Sequence, residues 1–200
     1  APLSIEDFVI NTPERCFFCK DDLFSKLSAI AQGEGYNFLL DGTNTDDTSD
    51  RRPGRKAAMK NGVRSPLAEA GFSKREIREK SRQQGLPTWD RPSSPCLATR
   101  IPYGQRITKE SLERVERSED FLRSLGFRTI RVRNHRDVAR IEVGAEEIDL
   151  MLNPEKREII SGILKSFGYK FVSLDLEGYR SGSMDEILNS SKDLCSRTDI

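Results

Sequence analysis

The stretch RTIRVRNHRDVARIEV, Arg128–Val143, alternates apolar and polar residues on both sides of a short polar link. Alternation with period two is the mark of a half-buried strand, because successive side chains leave opposite faces of a sheet. Arg128–Asn134 and Val138–Val143 therefore read as two strands. The link Asn134-His135-Arg136-Asp137 is short enough for an antiparallel hairpin. Working outward, Thr108 caps a helix that reaches about Leu125 and stops at Gly126. A helical pattern covers about 145–152, Pro154 opens another helix that Gly168 ends near Phe167, and Tyr169–Leu176 reads as a third strand. The order α-β-β-α-β resembles part of a split, ferredoxin-like module.

The first half has a different rhythm. Thr12-Pro13 looks like a helix start, and the helix is expected to run to about Gln32 with Phe17, Phe24, Leu27 and Ile30 in its apolar stripe. Asn37–Asp41 (NFLLD) reads as a short buried strand, followed at once by the polar loop Gly42-Thr43-Asn44-Thr45-Asp46-Asp47. Residues 48–62 read as charged and turn-rich, and Val63–Leu67 as a second short strand. Ser73 and Glu76 form a capping box opening a helix to about Gln84. Pro87, Pro92 and Pro95 mark a connector, so a domain boundary is expected within residues 90–105, and the residues after about Asn189 read as a loose tail.

Composition bounds the function. The 200 residues carry 33 basic and 32 acidic side chains, a balance unlike that of a nonspecific nucleic-acid binder. Apolar residues make up 36%, below the usual ~45–50%, yet they fall in periodic blocks. No run approaches the ~20 apolar residues of a membrane helix, and no signal peptide is visible. Four cysteines without a secretory segment point to reduced thiols in the cytoplasm and to metal or redox chemistry.

Several residues could carry chemistry. Cys16 and Cys19, in RCFFCK, are one helical turn apart and share a face. Cys96 precedes the turn-rich LATRIPYG. Three converging thiolates suit an iron–sulfur cluster or a sulfur-handling site, although a single Cys-x-x-Cys is weak by itself. Cys195 lies in the polar tail and is read as incidental. In DGTNTDD, Gly42 permits close backbone approach, Thr43 and Asn44 offer hydrogen-bonding groups, and Asp46 and Asp47 could recruit magnesium; an ordinary Asx-rich turn has the same composition.

Glu119 falls on the apolar stripe of its helix, with Leu112, Val115 and Leu122, so its carboxylate must be paired, metal-bound or at a cleft edge. Arg131 and Arg133 share one strand face, opposite Ile130 and Val132, an arrangement that fits phosphate recognition as well as a solvated sheet face. Thr99, Arg100 and Asp149 are further candidates. His135, the single histidine, sits in the hairpin link and is a poor candidate for a base.

Taken together, TPERCFFCK, LLDGTNTDD with RRPGRKAA, VRSPLAEAGFSKREIR, CLATRIPYG, FLRSLGFRTIRVRNH with VARIEV, and LDLEGYRSGSM resemble the LarE family of ATP-dependent sulfur transferases, in order and over nearly the whole chain. The resemblance implies an α/β fold. It places the later part of a Rossmann-like PP-loop domain, of the adenine nucleotide α-hydrolase type, at 1–95. A smaller α+β domain for substrate and sulfur transfer follows at 96–190, with a tail at 191–200. The family's phosphate-binding signature SGGxDS is expected upstream of Ala1, so the chain is expected to be N-terminally truncated and to bind ATP poorly.

The same resemblance implies a reaction. ATP and Mg²⁺ activate a carboxylate of a pyridinium dicarboxylate mononucleotide as an acyl-adenylate, and sulfur then displaces AMP to give a thiocarboxylate for the nickel-pincer cofactor of lactate racemase. It implies a [4Fe–4S] cluster on Cys16, Cys19 and Cys96, with Cys96 acting alone as the alternative sulfur donor. Gly42, Thr43, Asn44 and Asp46 are expected at the nucleotide, and Thr99, Arg100, Arg131 and Arg133 at the substrate phosphate and sulfur site. Glu119 and Asp149 are expected as an acidic pair that contacts metal or substrate. Hexameric assembly of the family extends to this chain as an expectation. The rival readings are another PP-loop adenylating enzyme, such as a tRNA thiolase or an amidotransferase relative, and a non-enzymatic zinc module with His135 as fourth ligand.

Overall fold

The computed structural model describes residues 2–48, 53–91, 95–180 and 182–184. The chain forms two compact units, Ala1–Ser94 and Pro95–Ile200. Cys195 and the tail expected after Asn189 lie outside the described residues. Mixed helices and a small sheet place the protein in the α/β class.

The first unit contains α1 (Glu6–Val9), α2 (Arg15–Gly33), α3 (Pro53–Lys60), α4 (Pro66–Glu69) and α5 (Lys74–Gln83). Helix α2 starts at Arg15 rather than at the Thr12-Pro13 cap. The Arg15 N–H donates to the Thr12 carbonyl in a turn, and the Arg15 side chain folds back to donate to Asn11 Oδ1 at 2.5 Å. Burying that guanidinium organises the preceding residues as a turn. Residues 53–60 form α3 despite their charge. Ala57 and Ala58 pack on Phe24 of α2, and a Cβ at Gly54 would sit 2.7 Å from the Lys20 side chain, so glycine lets the two helices approach. The eight residues of α3 are too few to cover the nineteen of α2, and Ile30, expected in the core, stays exposed.

The two short strands expected at Asn37–Asp41 and Val63–Leu67 reduce to one parallel bridge, Leu40 with Arg64. Its bonds are Asp41 N–H to the Arg64 carbonyl and Arg64 N–H to the Leu39 carbonyl, both 2.9 Å. A lone pair of strands is marginal without further neighbours, and Pro66 turns the second segment into α4 at once. Helix α5 carries the capping box read at Ser73 and Glu76.

The second unit holds α6 (Lys109–Ser124), β1 (Ile130–His135), β2 (Val138–Val143), α7 (Ile148–Leu152), α8 (Pro154–Ser166) and β3 (Phe171–Leu174). Thr108 caps α6 with a reciprocal bond to Ser111, and Asn153 caps α8. The sheet order is β1-β2-β3. β1 and β2 are antiparallel with Val132 opposite Ile141, and β2 and β3 are parallel. The hairpin is tighter than expected: only Arg136 and Asp137 separate the strands, and Arg136 adopts φ +58.

One sheet face carries Ile130, Val132, Ala139, Ile141 and Val143, which pack with Leu122, Met151, Ile160 and Leu164 from the three helices. The other carries Arg131, Arg133, Arg140 and Glu142, as the register requires. That polar face is buried too, with Arg131 9%, Arg133 5% and Glu142 0% exposed. No helix among the described residues is long and apolar enough to cross a membrane.

Candidate active site

The polar face of the second unit is built from arginines matched to carboxylates. Glu119 projects from α6 to the open edge of β1. Its Oε1 accepts the Val132 N–H at 3.0 Å and Arg100 Nε at 2.8 Å; its Oε2 accepts Arg100 Nη2 and Arg123 Nη2, each at 3.0 Å. Four donors on two oxygens explain how a carboxylate sits fully buried on an apolar stripe. Of the three ways read for Glu119, the structure shows pairing.

Arg100 connects that anchor to the cysteine loop. It ends a 3-10 turn, Leu97–Arg100, and is itself 2% exposed. Its Nη1 donates to the Pro95 carbonyl at 2.8 Å and to the Cys96 carbonyl at 3.2 Å. The Thr99 N–H and hydroxyl also donate to the Cys96 carbonyl, at 2.9 and 2.7 Å. The backbone of Cys96 is therefore held from several sides while its thiol side chain is exposed.

Arg133 forms a two-pronged pair with Glu142, Nε to Oε1 at 2.9 Å and Nη2 to Oε2 at 2.6 Å, and its Nη1 donates to the Thr99 carbonyl at 3.2 Å. Ser183 Oγ accepts from Arg133 Nη2 at 2.9 Å and donates to Glu142 Oε1 at 3.2 Å. Arg140 pairs with Glu142 and Asp175. Arg131 donates to the Ile130 carbonyl and lies over the Tyr179 ring, its guanidinium carbon 4.9 Å from the ring centre. Burial, then repulsion from Arg100, pulls the Arg131 pKa below its ordinary value. A cationic side chain under that stress is stabilised by an incoming anion. His135 stands half-buried at the end of β1, and burial followed by Arg140 and Arg133 lowers its pKa, which favours the neutral ring.

Thr99, Arg100, Glu119, Arg131 and Arg133 thus gather with Cys96 in one unit. Asp149 is exposed on α7, and no printed bond ties it to this network. Glu142, Ser183 and Tyr179 were not among the residues singled out from sequence. For Glu142 the signal was available: it alternates with Ile141 and Val143, so the hairpin carries it to the arginine face.

The DGTNTDD loop of the first unit is internally tied. Asn44 Oδ1 accepts the N–H groups of Asp46 and Asp47 at 3.0 and 3.3 Å, as at a helix start. Asp46 accepts the Lys74 N–H at 2.8 Å, fixing the loop to α5. Thr43 donates to Asp41 through both N–H and Oγ, and Ser65 Oγ donates at 2.7 Å. Burial raises the Asp41 pKa, but these bonds outweigh it and hold the carboxyl below its ordinary range. Gly42 is exposed.

Cys16 is exposed and Cys19 half-buried on α2 of the first unit, whereas Cys96 belongs to the second; neither unit by itself carries all three thiols. Among the described residues, no three His, Cys, Asp or Glu side chains are grouped to hold a metal ion. The donor chemistry, accessible thiols one helical turn apart, is that of soft-metal ligands.

A buried arginine cluster beside an exposed thiol, on a mixed α/β scaffold, is the equipment of an enzyme acting on an anionic substrate. The comparisons agree with that class. The chain is 44% identical over 182 residues (91% of it and 68% of the relative) to the uncharacterized protein slr1717 of Synechocystis. It is 38% identical over 190 residues (95% and 68%) to pyridinium-3,5-bisthiocarboxylic acid mononucleotide synthase of Lactiplantibacillus plantarum, and 35% identical over 179 residues (90% and 69%) to the uncharacterized protein MJ0830 of Methanocaldococcus jannaschii. No family model matches. The chain belongs to the LarE family, that of the Lactiplantibacillus synthase.

Proposed function

We propose that the protein transfers sulfur to a carboxylate of a pyridinium dicarboxylate mononucleotide, making the thiocarboxylate used in nickel-pincer cofactor synthesis. The observation that carries this reading is the fastening of Cys96: Arg100, locked by Glu119, grips the Pro95 and Cys96 carbonyls at 2.8 and 3.2 Å and leaves an accessible thiol beside Thr99 in an arginine-lined unit.

A carboxylate is a poor electrophile. In the first stage its oxygen attacks the α-phosphorus of Mg²⁺-bound ATP and pyrophosphate leaves, giving an acyl-adenylate. In the second, sulfide attacks the acyl carbon and AMP departs with the bonding pair. The first unit is read as part of a Rossmann-like PP-loop domain with Gly42, Thr43, Asn44 and Asp46 at the nucleotide; the second as a ferredoxin-like α+β domain. Arg131 receives the substrate phosphate, with Thr99, Arg100 and Arg133 shaping the site, and Glu119 serves by holding Arg100. Cys16, Cys19 and Cys96 would hold the [4Fe–4S] cluster, which supplies sulfide when bound. Asp149 is retained as an acidic contact for metal or substrate, and the protein acts as a homo-oligomer in the cytoplasm.

The test supplies the chain, reconstituted with iron and sulfide under anaerobic conditions, with preformed acyl-adenylate of the pyridinium dicarboxylate mononucleotide. Mass spectrometry should detect the thiocarboxylate and release of AMP, and about four irons per chain should be bound. Cys16→Ser, Cys19→Ser and Cys96→Ser should each lose iron, and Cys195→Ser should not. Full iron binding by Cys96→Ser would exclude the three-thiolate site; AMP release with only the carboxylate recovered would exclude sulfur transfer.

A further inference from the structure

The segment LDLEGYRSGSM, Leu174–Met184, has no part in the chemistry above, yet it laces the polar face of the second unit. After β3 the Asp175 N–H donates to the Ile141 carbonyl at 2.8 Å, and its carboxylate takes Arg140. Gly178 then adopts φ +66, where a Cβ would lie 2.8 Å from the Val143 carbonyl oxygen. The Tyr179 N–H donates to that same oxygen at 2.8 Å. Two backbone bonds to β2 and one glycine therefore fix where the Tyr179 ring stands.

It stands against Arg131. Glu142 is the cross-strand partner of Arg131 in the register, yet both of its oxygens engage Arg133, with Ser183 closing the contact. The large surface lying against the Arg131 guanidinium is instead an aromatic ring. The difference matters chemically. A bidentate carboxylate occupies the N–H edge of a guanidinium, the edge that a phosphate needs. An aromatic ring supports the flat face and does not compete for that edge.

We propose that Tyr179 is a positioning residue: its ring holds the Arg131 guanidinium so that the N–H edge serves a substrate phosphate monoester. This inference rests on the reading of Arg131 as the phosphate-receiving residue.

Calorimetric titration of the full chain with ribose 5-phosphate tests it. Tyr179→Phe, which keeps the ring, should bind within about twofold of the parent, whereas Tyr179→Leu should bind about five- to tenfold more weakly. Arg131→Gln should show no measurable binding. Arg131→Lys keeps the charge but loses the planar stack, so adding Tyr179→Leu in that background should change the affinity by less than about twofold.

Parent-like binding by Arg131→Gln would overturn the phosphate reading itself. Loss of binding in Arg131→Gln with parent-like binding in Tyr179→Leu would overturn only the positioning role. An equal loss on adding Tyr179→Leu to the parent and to Arg131→Lys would show a general packing effect and also overturn it. Should Tyr179→Leu fail to fold, Tyr179→Gln takes its place. In the unaltered chain the Arg131 Nε proton should then carry an upfield ring-current shift, and its absence counts against the stack.

Discussion

Arg133 pairs with Glu142 rather than with Arg140, the residue directly across from it on β2; the two-pronged contact runs diagonally, at 2.9 and 2.6 Å. This one-step offset organises the polar face. It satisfies a fully buried carboxylate, and it leaves the ring of Tyr179 as the surface beneath Arg131.

Removing one partner of that pair leaves the other charged and buried. Glu142→Ala should destabilise the second unit by about 3–5 kcal/mol, whereas the double replacement Arg133→Met with Glu142→Leu should recover much of the loss. Hydrogen exchange at the amides of β2 in graded denaturant reads the stability of that unit directly. Full cost persisting in the double variant would mean that the pair supplies more than charge compensation.

The two arginines on Glu119 should differ sharply. Arg100 is 2% exposed in its side chain and Arg123 is 49% exposed. Arg123→Ala should cost no more than about 1 kcal/mol. Arg100→Ala should cost about 3–5 kcal/mol, and it should also speed alkylation of Cys96, because the Pro95 and Cys96 carbonyls lose their donor. Thiol labelling followed by mass spectrometry, with denaturation of each variant, separates the two effects. Equal costs for both arginines would refute the burial argument.

Burial raises the Tyr169 hydroxyl to about 12 from the ordinary 10.0, a shift that Arg114 above the ring opposes. The folded form therefore retains a proton that the unfolded chain gives up. Its contribution, about 2 kcal/mol, is complete below pH about 10 and fades as pH rises through about 12. Tyr169→Phe should remove that alkaline loss in the second unit. An unchanged dependence on pH between these limits would show that Tyr169 is not its source.

Arg136 occupies the left-handed region at φ +58, where side chains other than glycine, asparagine and aspartate are disfavoured. Its carbonyl accepts from Arg114, a contact that any residue can keep. Arg136→Gly should therefore stabilise the hairpin by about 0.5–1 kcal/mol, measured as slower exchange at the β1 and β2 amides. A destabilised hairpin would show that the Arg136 side chain contributes more than its backbone costs.

Much of the second unit was legible in its sequence. Thr108, Asn153-Pro154 and the alternation through Arg128–Val143 act locally, and their signals survive because the helices and strands they mark also bury a continuous apolar face. The first unit was harder to read. NFLLD has the composition of a buried strand, but a single rung between Leu40 and Arg64 is all that forms among the described residues. Helix α3 hid behind Gly54 and a run of charges, because its reason for existing is the contact of Ala57 and Ala58 with α2.

The sequence by itself determined that Arg131 and Arg133 share a face, that Glu119 falls on an apolar stripe, and that a hairpin brings a second strand beside the arginines. Those facts follow from periodicity and from short links, which near neighbours enforce. Only the tertiary structure decided which carboxylate each guanidinium meets. Arg100 finds Glu119 across nineteen residues, and Ser183 reaches Arg133 from fifty residues away. Pairings over such separations depend on where folded elements converge, so no local pattern in the chain records them.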